Sequence, residues 1–279
     1  MNTRSQATPV IADVQGGPDG RRLTIDKVGI KDLRHPLAFR DRDGRTQQTV
    51  GRFSAYVHLP HDRRGTHMSR FVEILNHYRE PLAVATVGSL LDRIALTLHS
   101  DAAFLEVSFP YFVSKQAPVS GVVSLMDYEV TLSAARQGRD RDITLKVVIP
   151  VTSLCPCSKQ ISDYGAHNQR SHVTVTVRAD ARLLLDDLIE TVEGQASCEI
   201  YGLIKRADEK FVTERAYDNP KFVEDVVRDV AARLNADPRV LGYTVESENF
   251  ESIHNHSAYA LIRSDKQTVT RPGRQDAGG

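Results

Sequence analysis

Apolar residues recurring at every second position restrict this chain more than any other feature. Phe53, Ala55, Val57 and Leu59 alternate with polar neighbours, as do Leu105, Val107 and Phe109, then Met126, Tyr128, Val130 and Leu132. The same period returns in Ile143, Leu145, Val147 and Ile149, in Val173, Val175 and Val177, in Leu241, Tyr243 and Val245, and in Tyr259 and Leu261. Side chains two apart on an extended chain point to one side, so each run predicts a strand with one buried face. Between these runs the period becomes helical. Met68, Phe71, Val72 and Leu75 follow Thr66 as a predicted N-cap, and a second helix carries Val87, Leu90, Leu91, Ile94 and Leu98. Leu184, Leu188 and Val192 follow Asp180, and Val223, Val226, Val230 and Leu234 follow Asn219 and Pro220, read as N-cap and first helical residue. The order is two strand-like runs, a helical stretch and two more strand-like runs, and it occurs twice. An antiparallel sheet with helices on one face is the arrangement that buries both patterns, so the fold class is α+β. The halves share no convincing sequence identity, which makes the repeat architectural.

The 279 residues suit one or two domains with a sizeable core. Lys plus Arg balances Asp plus Glu at 36 each, so no global basic excess points to nucleic acid or an anionic membrane as partner. No apolar run approaches the ~20 residues that span a bilayer, and Met1-Asn-Thr-Arg-Ser-Gln6 lacks the apolar centre of a secretion signal. The expected location is the cytoplasm, where three cysteines outside any disulfide framework stay reduced. Residues 1–22 read as a mobile leader and 265–279 as a mobile tail, neither with chemistry of its own.

Chemistry concentrates between Val151 and His172, a polar, turn-rich segment holding Cys155, Cys157 and His167. Pro156 keeps the segment out of a helix interior and restricts the two sulfurs. Thiolate and imidazole both ligate zinc-like ions, and a catalytic site uses three protein ligands with one open position. The spacing is not that of a finger or ribbon, because Cys198 stands alone. By spacing, a catalytic metal, a redox thiol pair and two incidental cysteines all remain open. Cys198 itself reads as a buried apolar thiol. His254 and His256, two apart, face one side if their run is extended; otherwise they are loop histidines. An acid in Ala207-Asp-Glu-Lys210 is by itself more often a solvated turn. The chain has neither a Gly-x-x-x-x-Gly-Lys-Ser/Thr loop nor a Gly-x-Gly-x-x-Gly after a strand, which argues against ordinary phosphoryl transfer. Arg70, Lys159, Arg170, Lys205 and Arg206 are candidate phosphate cations, and equally ordinary surface charges.

Thr152-Ser-Leu-Cys-Pro-Cys-Ser-Lys159 followed by Tyr164-Gly-Ala-His-Asn-Gln-Arg170 resembles the signature of the type IB GTP cyclohydrolases. The resemblance continues through Gly65-Thr-His-Met-Ser-Arg-Phe71, Asp208-Glu-Lys210, Asn219-Pro-Lys-Phe-Val-Glu-Asp225 and Ser252-Ile-His-Asn-His-Ser257, in the family's order. It implies two tandem tunnelling-fold units, here 23–135 and 136–264, each an antiparallel four-stranded sheet with two helices. Sheets of that family join edge to edge across subunits and place sites at subunit boundaries, which implies a homotetramer. The activity implied is conversion of GTP and water to 7,8-dihydroneopterin triphosphate and formate, the first step of tetrahydrofolate biosynthesis. One divalent ion per site, Zn²⁺, Mn²⁺ or Fe²⁺, activates the water that attacks C8 of guanine. By the same resemblance Cys155, His167 and Glu209 hold the metal, and Cys155, His254 and His256 are catalytic. Glu224 accepts the guanine N1–H and amine. Lys205, Arg206 and Arg70 are candidate substrate contacts, and Cys157 reads equally as a substrate contact, a redox-sensitive partner of Cys155 or a thiol that supports the site from behind. Two further readings stand beside this one. A tunnelling-fold pterin synthase of other specificity would bind zinc through three histidines, and a non-catalytic metal-binding regulatory module would turn over nothing.

Overall fold

The computed structural model describes residue 15 and residues 17–266. The tail expected to be mobile lies outside the described residues from 267 onward, as do residues 1–14 and 16 of the leader. The chain runs β1 (Ile25–Arg40), β2 (Thr46–Leu59), α1 (Met68–His77), α2 (Val87–Thr97), β3 (Ala102–Gln116), β4 (Val123–Gln137) and β5 (Asp140–Leu154). It continues with α3 (Pro156–Ile161), β6 (Asn168–Ala179), α4 (Leu185–Glu193), β7 (Cys198–Glu199), α5 (Arg206–Asp218), α6 (Val223–Ala236), β8 (Val240–Asn249) and β9 (Ala258–Asp265). Among the described residues nine strands make one antiparallel sheet in the order β1-β2-β3-β4-β5-β6-β8-β9, with β7 paired to β5 off this path. The fold is α+β, as the alternation predicts. No described helix is long and apolar enough to cross a membrane.

The sheet buries the residues that alternate in the sequence. Val107, Leu132, Leu145, Val147, Ile149, Val173, Val175, Val177 and Val245 are all sealed from solvent beneath the helices. Leu90, Leu91 and Ile94 of α2 and Val226, Val230 and Leu234 of α6 close over them. A buried aliphatic side chain contributes roughly 1.5–3 kcal/mol, so these stripes carry most of the stabilisation.

Several local expectations are corrected. Thr66 does not cap α1, because the helix starts at Met68 behind His67 and Thr66 is itself buried. Asn219 and Pro220 do not open α6, which begins at Val223. Asn219 instead ends α5, and its amide donates to the carbonyls of Ala196 and Ser197 at 2.8 and 3.4 Å. Pro220 therefore terminates one helix rather than starting the next. Tyr259 and Leu261 do lie on a strand, but on its exposed face; Ala260 and Ile262 pack on the core. Part of the leader is tied down, since Arg64 N–H donates to the Gly17 carbonyl at 3.0 Å and Pro18 bridges Arg63.

Candidate active site

At the end of β5 the chain turns directly into α3, and Cys155 becomes that helix's N-cap. Pro156 occupies the first helical position, and the Ser158 N–H donates to Cys155 Sγ at 3.5 Å. Three further bonds fold the following loop back onto this cysteine. Cys155 N–H donates to the His167 carbonyl at 3.1 Å. Ser158 Oγ donates to the Cys155 carbonyl at 3.1 Å and accepts from the His167 N–H at 3.2 Å. Between them, Gly165 supplies a φ of +123° that few other residues adopt. The backbones of Cys155 and His167 are thus held side by side.

The imidazole is oriented from behind. His167 Nδ1 lies 3.0 Å from Gln169 Oε1, 3.5 Å from Ser252 Oγ and 3.9 Å from Glu251 Oε2. With Nδ1–H donating to the buried Gln169 carbonyl oxygen, Nε2 keeps its lone pair for a cation. Residues 251 and 252 lie in the β8–β9 loop, which also carries His254 and His256. That loop is bent rather than extended, so the strand argument for a shared side does not apply. The two rings nevertheless stack, with centroids 5.2 Å apart and planes 23° apart, and both are exposed. His172 packs edge-on against Phe250, which begins the same connection.

Glu209 lies in the first turn of α5, which makes the predicted solvated turn a helix. Val212 and Ala216 of that helix pack with Leu154, Cys198 and Ala166, next to His167. Residues at i, i+3 and i+7 share a helix face, so Glu209 lies on the same face of α5 as Val212 and Ala216. Among the described residues no three His, Cys, Asp or Glu side chains are gathered tightly enough to hold a metal ion. Cys155 and His167 are joined backbone to backbone, and Glu209 is exposed in the first turn of α5. Glu224 stands in the first turn of α6, exposed. The start of this helix is pinned to the cysteine loop, because Lys221 N–H donates to the Leu154 carbonyl at 3.1 Å.

The remaining predicted residues divide. Cys157 is exposed in the first turn of α3. Lys205 and Arg206 are exposed at the start of α5, and Arg170 is exposed on β6. Lys159 is engaged: its ammonium donates to the Tyr217 carbonyl and lies 4.1 Å from the centre of that ring, tying α3 to α5. Arg70 sits in α1, which packs on β1 and α2 in the other half of the chain. Cys198 is buried as expected, 1% exposed, and burial together with neighbouring Glu199 pushes its thiol up to about 11.

One residue escaped the sequence reading. Asp208 is wholly buried, and its two carboxylate oxygens accept from Val119 N–H and Ser120 N–H at 2.8 Å, Ser120 Oγ at 2.5 Å and Lys205 N–H at 2.8 Å. Burial would raise its pKa, but these hydrogen bonds outweigh it and hold the carboxyl well below the usual range. Its local signal was the acid three positions after the helix N-cap, which reaches back to the cap's N–H.

Known proteins align with nearly the whole chain. The family model described as Type I GTP cyclohydrolase folE2 matches residues 11–260. A GTP cyclohydrolase FolE2 of Methylobacillus flagellatus is 62% identical over 259 residues, covering 93% of this chain and 97% of that one. One from Nitrosococcus oceani is 62% identical over 256 residues, covering 92% and 96%. Among solved structures, that of a highly active BTUO mutant superposes with a TM-score of 0.52 at 7% identity, over 86% of this chain and all of that one. At that identity the likeness is one of fold alone. The near full-length match in sequence is of another kind, and it makes this chain a member of the Type I GTP cyclohydrolase FolE2 family, the type IB cyclohydrolases.

Proposed function

We propose that this chain is a GTP cyclohydrolase converting GTP and water to 7,8-dihydroneopterin triphosphate and formate, at the entry to tetrahydrofolate biosynthesis. The observation that carries this is the 62% identity, over more than nine-tenths of the chain, to proteins named for that activity. The site chemistry supports it. Cys155 and His167 are neighbours, with a backbone N–H on the sulfur and a buried amide fixing the imidazole, and Glu209 lies on the facing helix. Sulfur, nitrogen and oxygen donors suit a borderline divalent ion, Zn²⁺, Mn²⁺ or Fe²⁺, held by these three residues. Such an ion, when bound, supplies the electrophilic activation of water that opens the guanine ring at C8.

In this reading the chain's own groups do the rest. Glu224 accepts the guanine N1–H and exocyclic amine, with the first turn of α6 tethered beside the cysteine loop. His254 and His256, stacked in the loop that reaches His167, move protons during ring opening and reclosure. Cys155, beyond ligating, and Cys157 line the reacting end, and Lys205 and Arg206 meet the triphosphate from the start of α5.

The element order supports two tunnelling-fold units, 23–135 and 136–264, the first with four strands and two helices as expected and the second carrying α3, β7 and α5 in addition to that plan. Among the described residues β9 keeps one edge without a partner, and the outer edge of β1 is met only at its end, where Leu82 bonds to Ala38 and Arg40. Pairing those edges between copies removes an aggregation liability and supports a homotetramer. In such an assembly Arg70 reaches the phosphates from a neighbouring subunit. Three free cysteines fit a reducing, cytoplasmic setting.

The test is incubation of the purified chain with GTP and Mn²⁺ or Zn²⁺ under reducing conditions, following formate and the pterin chromophore. Both products appear together if the proposal is right, and their absence with every metal overturns it. Cys155→Ala, His167→Ala and Glu209→Ala should each lose bound metal and turnover in parallel. A variant that keeps both removes that residue from the ligand set.

A further inference from the structure

We infer that Asp208 is a positioning residue for Glu209, so that the metal-binding carboxylate in the second half of the chain is set in place by a loop of the first half. The inference rests on the ligand reading above.

Helix α5 is polar on nearly every side, and only Asp208 and Ala216 of its residues are buried. Apolar packing holds its second half through Val212 and Ala216, against Leu154 and Cys198. Among the described residues no buried apolar side chain fixes the first turn, where Glu209 stands. That turn is held instead by the Asp208 carboxylate, which binds the N–H groups of Val119 and Ser120 and the Ser120 hydroxyl in the β3–β4 loop, and closes on its own helix at Lys205 N–H. A second link makes the docking close: Leu203 N–H donates to Ser124 Oγ at 3.1 Å, and a Cβ at Gly202 would come within 2.6 Å of the Leu125 carbonyl. Glu209 is the next residue, about 100° further around the helix. Any rotation or fraying of the turn therefore displaces its carboxylate, whereas a metal–oxygen bond tolerates only about 0.2 Å. The four donors specify an acid, because an amide would place its own NH₂ against the Ser120 hydroxyl or a backbone N–H.

The experiment measures the Mn²⁺ or Zn²⁺ dissociation constant of full-length Asp208→Asn by competition with a chromophoric chelator, on protein shown by circular dichroism to be folded. The expected result is a dissociation constant raised about tenfold, as for groups that orient metal ligands, with full stoichiometry still reached at saturation. Excess metal should then recover most of kcat, with KM for GTP within about twofold of the parent. A dissociation constant within about twofold of the parent overturns the proposal, as does a loss of sites at unchanged affinity, which is what a purely structural role produces. Should Asp208→Asn fail to fold, Ser120→Ala removes one of the four bonds and carries the same test, with a rise of about threefold expected and no rise fatal. Glu209→Gln separates the two readings. If it weakens binding while Asp208→Asn does not, only the positioning role falls; if it leaves affinity intact, the ligand assignment falls and takes this inference with it.

Discussion

Cys198 and Cys157 differ in surroundings rather than in chemistry. Cys198 is sealed between Leu154 and Ala216, and its folded thiol titrates near 11 rather than at the ordinary 9.0. Only the thiolate attacks a disulfide reagent, so at pH 8 Cys198 is doubly protected, by burial and by its proton. With metal chelated, a thiol-disulfide reagent should modify Cys157 and Cys155 in the native protein and reach Cys198 only on unfolding. Fast reaction of all three would place Cys198 elsewhere. The sign of the linkage is also fixed: the unfolded thiol ionises first, so Cys198 erodes stability as pH rises from about 9 toward about 11 and has no effect at neutrality. Gly165 is limited by its backbone in a similar way. A Cβ there meets nothing within 4 Å, so Gly165→Ala costs only the strain of a φ of +123°, about 1–3 kcal/mol. Calorimetry should show a lower Tm for that variant, together with weaker metal binding as His167 shifts against Cys155. An unchanged Tm would mean that the turn relaxes freely.

Helices α5 and α6 are adjacent in the chain and opposite in legibility. The stripe Val223, Val226, Val230 and Leu234 marks α6 in the sequence, and all four are buried. Helix α5 has no stripe to find, because what holds its first turn is a carboxylate and four donors from distant or backbone groups. Strand β1 was illegible for a different reason. Register shifts between Ile25 and Val28 and between Ile30 and Leu33, with Asp32 at a φ of +58°, break the period of two on which strand reading depends. The cysteine loop was legible as a place for chemistry because its residue types are unusual together, but Glu209 came from resemblance and Asp208 from the structure alone. The contrast predicts unequal penalties. Leu234→Ala in α6 empties a site 2% exposed and should cost about 2–5 kcal/mol in urea unfolding. Phe211→Ala in α5, 37% exposed, should cost well under half as much, although it removes the larger side chain. Equal losses would show that α5 is packed apolar after all.

Across the whole molecule the question is what ties the two halves together beyond the β4–β5 hairpin and the Asp208 bonds to the β3–β4 loop, and two charged contacts made by α4 compete for that role. Arg42, in the β1–β2 turn, pairs with Asp187 and Glu190 of α4 at 3.2 and 2.8 Å, but the arginine is 33% exposed and Glu190 67%. Such a pair contributes about 0–1 kcal/mol after screening and side-chain entropy. Lys115 of β3 pairs with Glu193 of α4 at 2.8 Å, the two side chains only 10% and 12% exposed, and Tyr128 of β4 donates to the same carboxylate oxygen at 2.6 Å. Removing one member of a buried pair leaves the other charge desolvated, a loss of about 3–5 kcal/mol, whereas removing both together costs far less. Lys115→Met should therefore lower the urea midpoint strongly, Glu193→Gln somewhat less because Tyr128 can still donate to the amide oxygen, and the double variant should recover at least half of the Lys115→Met loss. Arg42→Ala should barely move the midpoint. If the two single losses add in the double variant to within about 0.5 kcal/mol, the pair is uncoupled, and the sheet and the Asp208 contacts hold the halves without it.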